Sequence, residues 1–174
     1  MKNSQNGFST VRTIALLIVV AGVGGLFYAK SGTSSKENEN KEVVSRFAEE
    51  FKNKANHNIV DELFAENFTH HFKDPRLPAG RPTMKLLGQS VVAAFPDVHA
   101  TVEDLLADGD KVIERTTATG THKGTFNGIP ATDRKVTWTE IHIYELKDGK
   151  IVELWSEIDF LSILGQIGPA PASQ

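Results

Sequence analysis

With 174 residues, 40% apolar side chains and mixed charge, 19 Lys and Arg against 22 Asp and Glu, the chain has the composition of one globular domain and is too apolar for a disordered one. It has no cysteine, which excludes disulfides, thiolate zinc sites, iron–sulfur clusters, a cysteine nucleophile and lipidation at an N-terminal cysteine. A net charge of −3, with Arg134 and Lys135 the closest late basic pair, gives no stripe that could neutralise successive phosphates, so nucleic acid is not an expected partner.

Residues 1–12 are polar, with Lys2 and Arg12 positive, and the uncharged run 13–29 follows up to Lys30. This is the pattern of an export signal or a membrane anchor. At 1.5 Å per residue the run spans roughly 25 Å, against a hydrocarbon core of about 30 Å. Phe27 stands where a signal peptidase wants a small residue if the cut follows Ala29, and a cut after Ser31 places Lys30 between the two small positions. An uncleaved anchor is therefore favoured over a cleaved signal, and both put the rest of the chain outside the cytoplasm. Residues 30–40 read as a solvated linker and 169–174, with two prolines, as a flexible tail. Between them, 41–168 is one domain; residues 41–174 carry 15 basic and 20 acidic side chains, too acidic to hold themselves on an anionic membrane surface.

Inside that domain the apolar period changes in order. Val43, Val44, Phe47 and Phe51 recur at helical spacing, and Ile59, Val60, Leu63 and Phe64 repeat it after Asn56-His57-Asn58, which predicts an α-hairpin. A short extended stretch, 68–72, and a Pro/Gly loop precede a third helix carrying Met84, Leu87, Val91, Val92 and Phe95. Strands are then expected at 98–107, 111–121, 135–146 and 151–158, joined by short turns and one Gly-rich loop at 123–134, with a last amphipathic helix at 161–167. The order α-α-β-α-β-β-β-β predicts an α+β fold: a strongly bent antiparallel sheet wrapped around helices as a cone with an internal pocket.

Alternation along 135–146 puts Trp138, Glu140 and His142 on one face and Thr137, Thr139, Ile141 and Ile143 on the other. A carboxylate and an imidazole two residues apart on one face can share a proton, as general acid–base catalysis requires; the plainer alternative is a polar pair on a solvated or dimer-facing surface. The opposite face is too apolar for free exposure, so a homodimer through it is expected. Asp159, between the last strand and the last helix, suits either an N-cap or a partly desolvated carboxylate beside Trp155. His71, His122 and Asp159 are conceivable as a metal site, but their scattered positions lack the usual ligand spacing, and no metal is expected.

The stretches 68–71 (FTHH), 77–80 (LPAG), 94–97 (AFPD), 102–104 (VED), 120–124 (GTHKG), 128–130 (GIP) and 148–155 (DGKIVELW), together with Asp159, resemble the SnoaL-like polyketide cyclase, or ester cyclase, family of the nuclear transport factor two-like superfamily. The resemblance spans roughly 41–168. It implies a cone fold and a cofactor-independent, aldol-type ring closure of a polyketide ester, with Asp159 as acid–base group and His122 and His71 lining the pocket. Trp138, Trp155, Arg115, Glu140, His142 and Phe126 are further candidates to line a site for a small hydrophobic carbonyl compound, and Trp138, His122 or Arg115 could hold an enolate oxygen. Biosynthetic cyclases need no export segment, so the alternative is a non-catalytic pocket domain of the same fold that binds a ligand or partner outside the cytoplasm.

Overall fold

The structure, a computed structural model, describes residues 35–72 and 74–168. The expected N-terminal region, the run 13–29, residues 30–34 and the tail lie outside them. Among the described residues no helix is long and apolar enough to cross a membrane.

Helix α1 is Ser35–Phe47, so part of the stretch expected as linker, Ser35–Asn40, is helical. Its polar side chains have partners: Asn40 donates to the Gly109 carbonyl at 3.2 Å, and Glu37 accepts from the Gly109 N–H at 3.1 Å, so this end of α1 clamps a strand turn. The helix then widens to π-type hydrogen bonding over Ala48–Asn53, with Lys54 N–H on the Glu49 carbonyl. The extra residue in that turn keeps Phe47 and Phe51 stacked at 4.7 Å, while Lys52 reaches the sheet. Asn53 exchanges two hydrogen bonds with the Ala100 backbone, covering an otherwise open strand edge. Helix α2, Ile59–Leu63, completes the α-hairpin through a bidentate Arg46–Glu62 pair.

Strand β1, Phe64–His70, precedes helix α3, Arg81–Ala94, whose first turn holds Pro82. Strands β2 (His99–Asp108), β3 (Lys111–Thr121), β4 (Lys135–Lys147) and β5 (Lys150–Ile158) follow as an antiparallel meander, and helix α4 is Phe160–Ile167. The sheet order is β1-β5-β4-β3-β2, with β1 parallel to β5. The α+β cone expected from the sequence is thus the observed fold; the parallel edge pairing has no local sequence signal, because β1 and β5 meet only through the intervening chain.

Two apolar clusters hold the sheet to the helices. One, under the α-hairpin, contains Val44, Phe47, Phe64, Tyr144, Leu146 and Leu154. The other, near the ends of α3 and α4, contains Phe95, Val136, Trp138, Ile163 and Ile167. The loop after β3 docks on the end of α3, where Lys123 and Gly124 N–H groups both donate to the Ala94 carbonyl. A Cβ at position 124 would run into the Ala93 carbonyl, so only glycine permits this approach.

Candidate active site

The seam between the two clusters is a cavity of about 140 Å³, walled by Phe47, Phe51, Met84, Leu87 and Val91 on the helix side and by Ala118, Trp138, Leu154 and Ile158 on the sheet side. Gly88 of α3 also faces it; a side chain there would strike the rings of Phe51 and His57, so this glycine keeps α3 close to the α-hairpin.

The period of two along β4 aims Trp138, Glu140, His142 and Tyr144 inward, as expected, and the polar members join a continuous chain. Glu140 Oε1 accepts from the Trp138 indole N–H at 2.8 Å, and Oε2 lies 2.8 Å from His142 Nε2 and 3.1 Å from Lys52 Nζ. On the far side of the ring, His142 Nδ1 lies 2.9 Å from Ser156 Oγ of β5, which in turn lies 3.2 Å from His70 Nε2 of β1. Lys52 also donates to Glu114 Oε1 at 2.7 Å; Glu114, fully buried on β3, accepts from Thr116 at 2.5 Å and from the Tyr144 hydroxyl at 2.8 Å. The three buried charges, Lys52, Glu114 and Glu140, each lie against an opposite charge, which offsets the cost of burying them.

Electrostatics fixes the protons. Burial alone pushes the Lys52 ammonium down, but the carboxylates of Glu140 and Glu114 outweigh it and hold the ammonium above its ordinary value. Burial pushes both carboxyls up, yet Lys52 and the neighbouring donors win, leaving Glu114 lowered and Glu140 well below the usual carboxylate range. Tyr144 is pushed well above the ordinary phenol value, first by burial and then by the Glu114 charge, and stays a donor. Burial, with help from His142 and His71, lowers His70 to about 4. Ionised Glu140 can only accept, so His142 Nε2 carries a proton; in the singly protonated ring Nδ1 is bare and takes the Ser156 O–H. Ser156 Oγ then accepts from His70 Nε2–H, leaving buried His70 Nδ1 without a partner, as observed. Glu140 is therefore a weak base and a firm anchor, and His142 is the group placed to move a proton.

The sequence candidates separate into three groups. Trp138, Glu140 and His142 meet in the cavity. His71, Trp155 and Arg115 lie on the opposite face of the sheet: the His71 ring stacks on Trp155 at 4.3 Å and pairs with Glu153 at 2.7 Å, while Arg115 pairs with exposed Asp104 at 2.6 Å. His122, Phe126 and Asp159 are outside the cavity lining. His122 is fully buried against Phe95 and bonded to Thr132, and Phe126 packs on Phe95. Asp159 is exposed and caps α4, accepting from the Ser162 N–H at 2.9 Å. Lys52, Glu114, Tyr144, His70 and Ser156 were not singled out from the sequence. Alternation along β3 and β5 puts Glu114 and Ser156 at inward positions, a readable signal; Lys52 had none. Among the described residues no group of three His, Asp or Glu side chains is arranged to hold a metal ion.

A model of the SnoaL-like polyketide cyclase family matches residues 42–167. A solved Bacillus cereus protein described as a candidate polyketide cyclase is 32% identical, with a TM-score of 0.69 over 80% of this chain and 87% of that one. IdmH from Streptomyces antibioticus, also described as a candidate polyketide cyclase, is 32% identical, with a TM-score of 0.65 over 75% of this chain and 99% of that one. AclR from Streptomyces galilaeus, described as a candidate hydroxylase, is 26% identical, with a TM-score of 0.69 over 79% of this chain and 90% of that one. No curated protein matches the chain.

Proposed function

The chain belongs to the SnoaL-like polyketide cyclase family, and we propose that it carries out cofactor-independent acid–base chemistry, an aldol-type ring closure or related isomerisation, on a small hydrophobic carbonyl compound. The observation that carries this reading is the chain Glu140–His142–Ser156–His70 on an otherwise apolar cavity wall. Cavities of roughly 150 Å³ with apolar walls hold a molecule the size of one aromatic ring, so the reacting end of a substrate fits and the rest extends through the mouth.

In this reading His142 Nδ1 removes a proton α to a carbonyl as the Ser156 hydroxyl turns away. The Ser156 O–H and the His70 Nε2–H then donate to the enolate oxygen. The enolate carbon attacks a second carbonyl of the same molecule, forming the C–C bond, and the new alkoxide takes the proton back from His142. Glu140 touches no reacting atom; it is a positioning residue that fixes the ring tautomer. Lys52 offsets the charge of Glu140, so an anionic intermediate enters a site that is not already negative. The test is deuterium incorporation at the acidic carbon of a small 1,3-dicarbonyl compound, followed by proton NMR. Catalysed exchange above buffer is expected; binding in the cavity without exchange would favour the non-catalytic pocket domain.

We further propose that the chain pairs as a homodimer and that its domain lies outside the cytoplasm. Leu106, Ile113, Ile143 and Trp155 stand in cross-strand register on the outer sheet face, with Leu106 62% exposed, a row suited to a second copy of this chain. Light scattering should give a dimer mass, and Ile143→Asp should halve it. Residues 1–40 fused to a reporter active only outside the cytoplasm should deliver it there, by export or by an anchor through 13–29.

A further inference from the structure

We propose that Ser156 is a nucleophile and that the cavity also cleaves small apolar esters through an acyl-Ser156 intermediate. This activity needs the same imidazole but not the enolate chemistry above. Ser156 Oγ lies 2.9 Å from His142 Nδ1, and His142 Nε2 lies 2.8 Å from Glu140 Oε2. The order carboxylate, imidazole, hydroxyl at hydrogen-bond distances is the arrangement that activates a serine: a base within reach of the hydroxyl, itself oriented by a third group. The third group is held from two further sides, by Trp138 and Lys52, so the ring cannot turn without breaking bonds to a buried anion. Ser156 occupies an inward position between Leu154 and Ile158 on β5 and lines the cavity, where a carbonyl carbon can approach its oxygen.

The step balances with water as the only co-reactant. As Oγ bonds to the ester carbonyl carbon, its proton moves to His142 Nδ1 and the carbonyl electron pair moves to oxygen. Collapse breaks the acyl C–O bond, and the alkoxide leaves with the proton from Nδ1. Water then gives a proton to Nδ1, its oxygen attacks the acyl carbon, and Oγ leaves and recovers the proton, releasing the acid. The His70 Nε2–H, 3.2 Å from Oγ in the free site, is released from Oγ by acylation and can donate to the oxyanion. The apolar walls and the cavity volume select esters of short-chain or single-ring acids.

The full chain treated with a small alkyl fluorophosphonate should gain one adduct, located on Ser156 by peptide mass spectrometry. A second variant tests activation without relying on turnover. Because the chain has no cysteine, Ser156→Cys introduces the sole thiol, and its alkylation by iodoacetamide reports on this position alone. The pH midpoint of alkylation should fall below the ordinary thiol value of about 8.5 and return to it when His142→Gln is added. No adduct on Ser156, or a midpoint that His142→Gln does not move, overturns the proposal. Deuterium exchange on the untreated wild-type chain reads the carbonyl chemistry separately, so failure of one activity is distinguishable from failure of the other.

Discussion

The two faces of the sheet carry nearly the same set of side chains. The inner face presents Trp138, Glu140 and His142, with a carboxylate 2.8 Å from the imidazole; the outer face presents Trp155 and Glu153 against His71, with a carboxylate 2.7 Å from the imidazole. Side-chain exposure separates them: 8% and 12% for the inner pair, 33% and 39% for the outer. Distance therefore says little about what a histidine–carboxylate pair can do. Outside, water competes for every bond and the pair contributes little. Inside, each charge must be answered by another, and the result is a locked anion, a fixed tautomer and an unprotonated ring nitrogen held on the Ser156 hydroxyl at the cavity wall.

The largest effect should come from breaking the inner charge balance. Lys52→Met leaves two ionised carboxylates, Glu114 and Glu140, without their shared cation. Stability at pH 7 should fall by about 3–5 kcal/mol, read from the denaturant midpoint. The loss should shrink at low pH as a carboxylate takes up a proton.

A pH dependence follows from His70. Its folded value, about 4, lies below the unfolded value of about 6.5, so the unfolded chain binds the proton first on acidification. The contribution of His70 is fully present above about pH 6.5 and is lost as pH falls toward 4. Thermal melts of His70→Asn should show a shallower decline across that window than the wild type.

Next in size is the cap. Asp159→Ala should cost about 1 kcal/mol by removing the acceptor for Ser162 N–H, and Asp159→Asn only a few tenths. Equal losses in the two variants would mean the side chain does something other than cap. The smallest effect is expected on the outer face: His71→Ala should change stability by no more than about 1 kcal/mol, because the Glu153 pair is solvated.

Hydrophobic period made most of the fold readable. The limits of β2 to β5, their meander and the inward set on β4 follow from alternation within single segments, whereas β1, expected at 68–72, runs Phe64–His70 and takes Phe64 from the helix expected before it. Choosing between adjacent histidines did not: His70 and His71 point to opposite sides, and only the pairing of β1 with β5 sets which one faces the cavity. Trp155 posed the same difficulty, since an aromatic ring fits a pocket or an interface equally well. Lys52 sits in a π-type turn, where helical spacing no longer says which way a side chain points. Asp159 shows the limit of motif position, because a carboxylate before a helix satisfies the capping requirement by itself.

The central claim is that proton transfer belongs to the inner pair. Deuterium exchange into a 1,3-dicarbonyl compound, measured side by side for His142→Gln and Asp159→Asn, tests it most directly. The account predicts a loss of about 10²–10⁴-fold for His142→Gln and a rate near wild type for Asp159→Asn. The reverse pattern, activity surviving in His142→Gln and lost in Asp159→Asn, would contradict it.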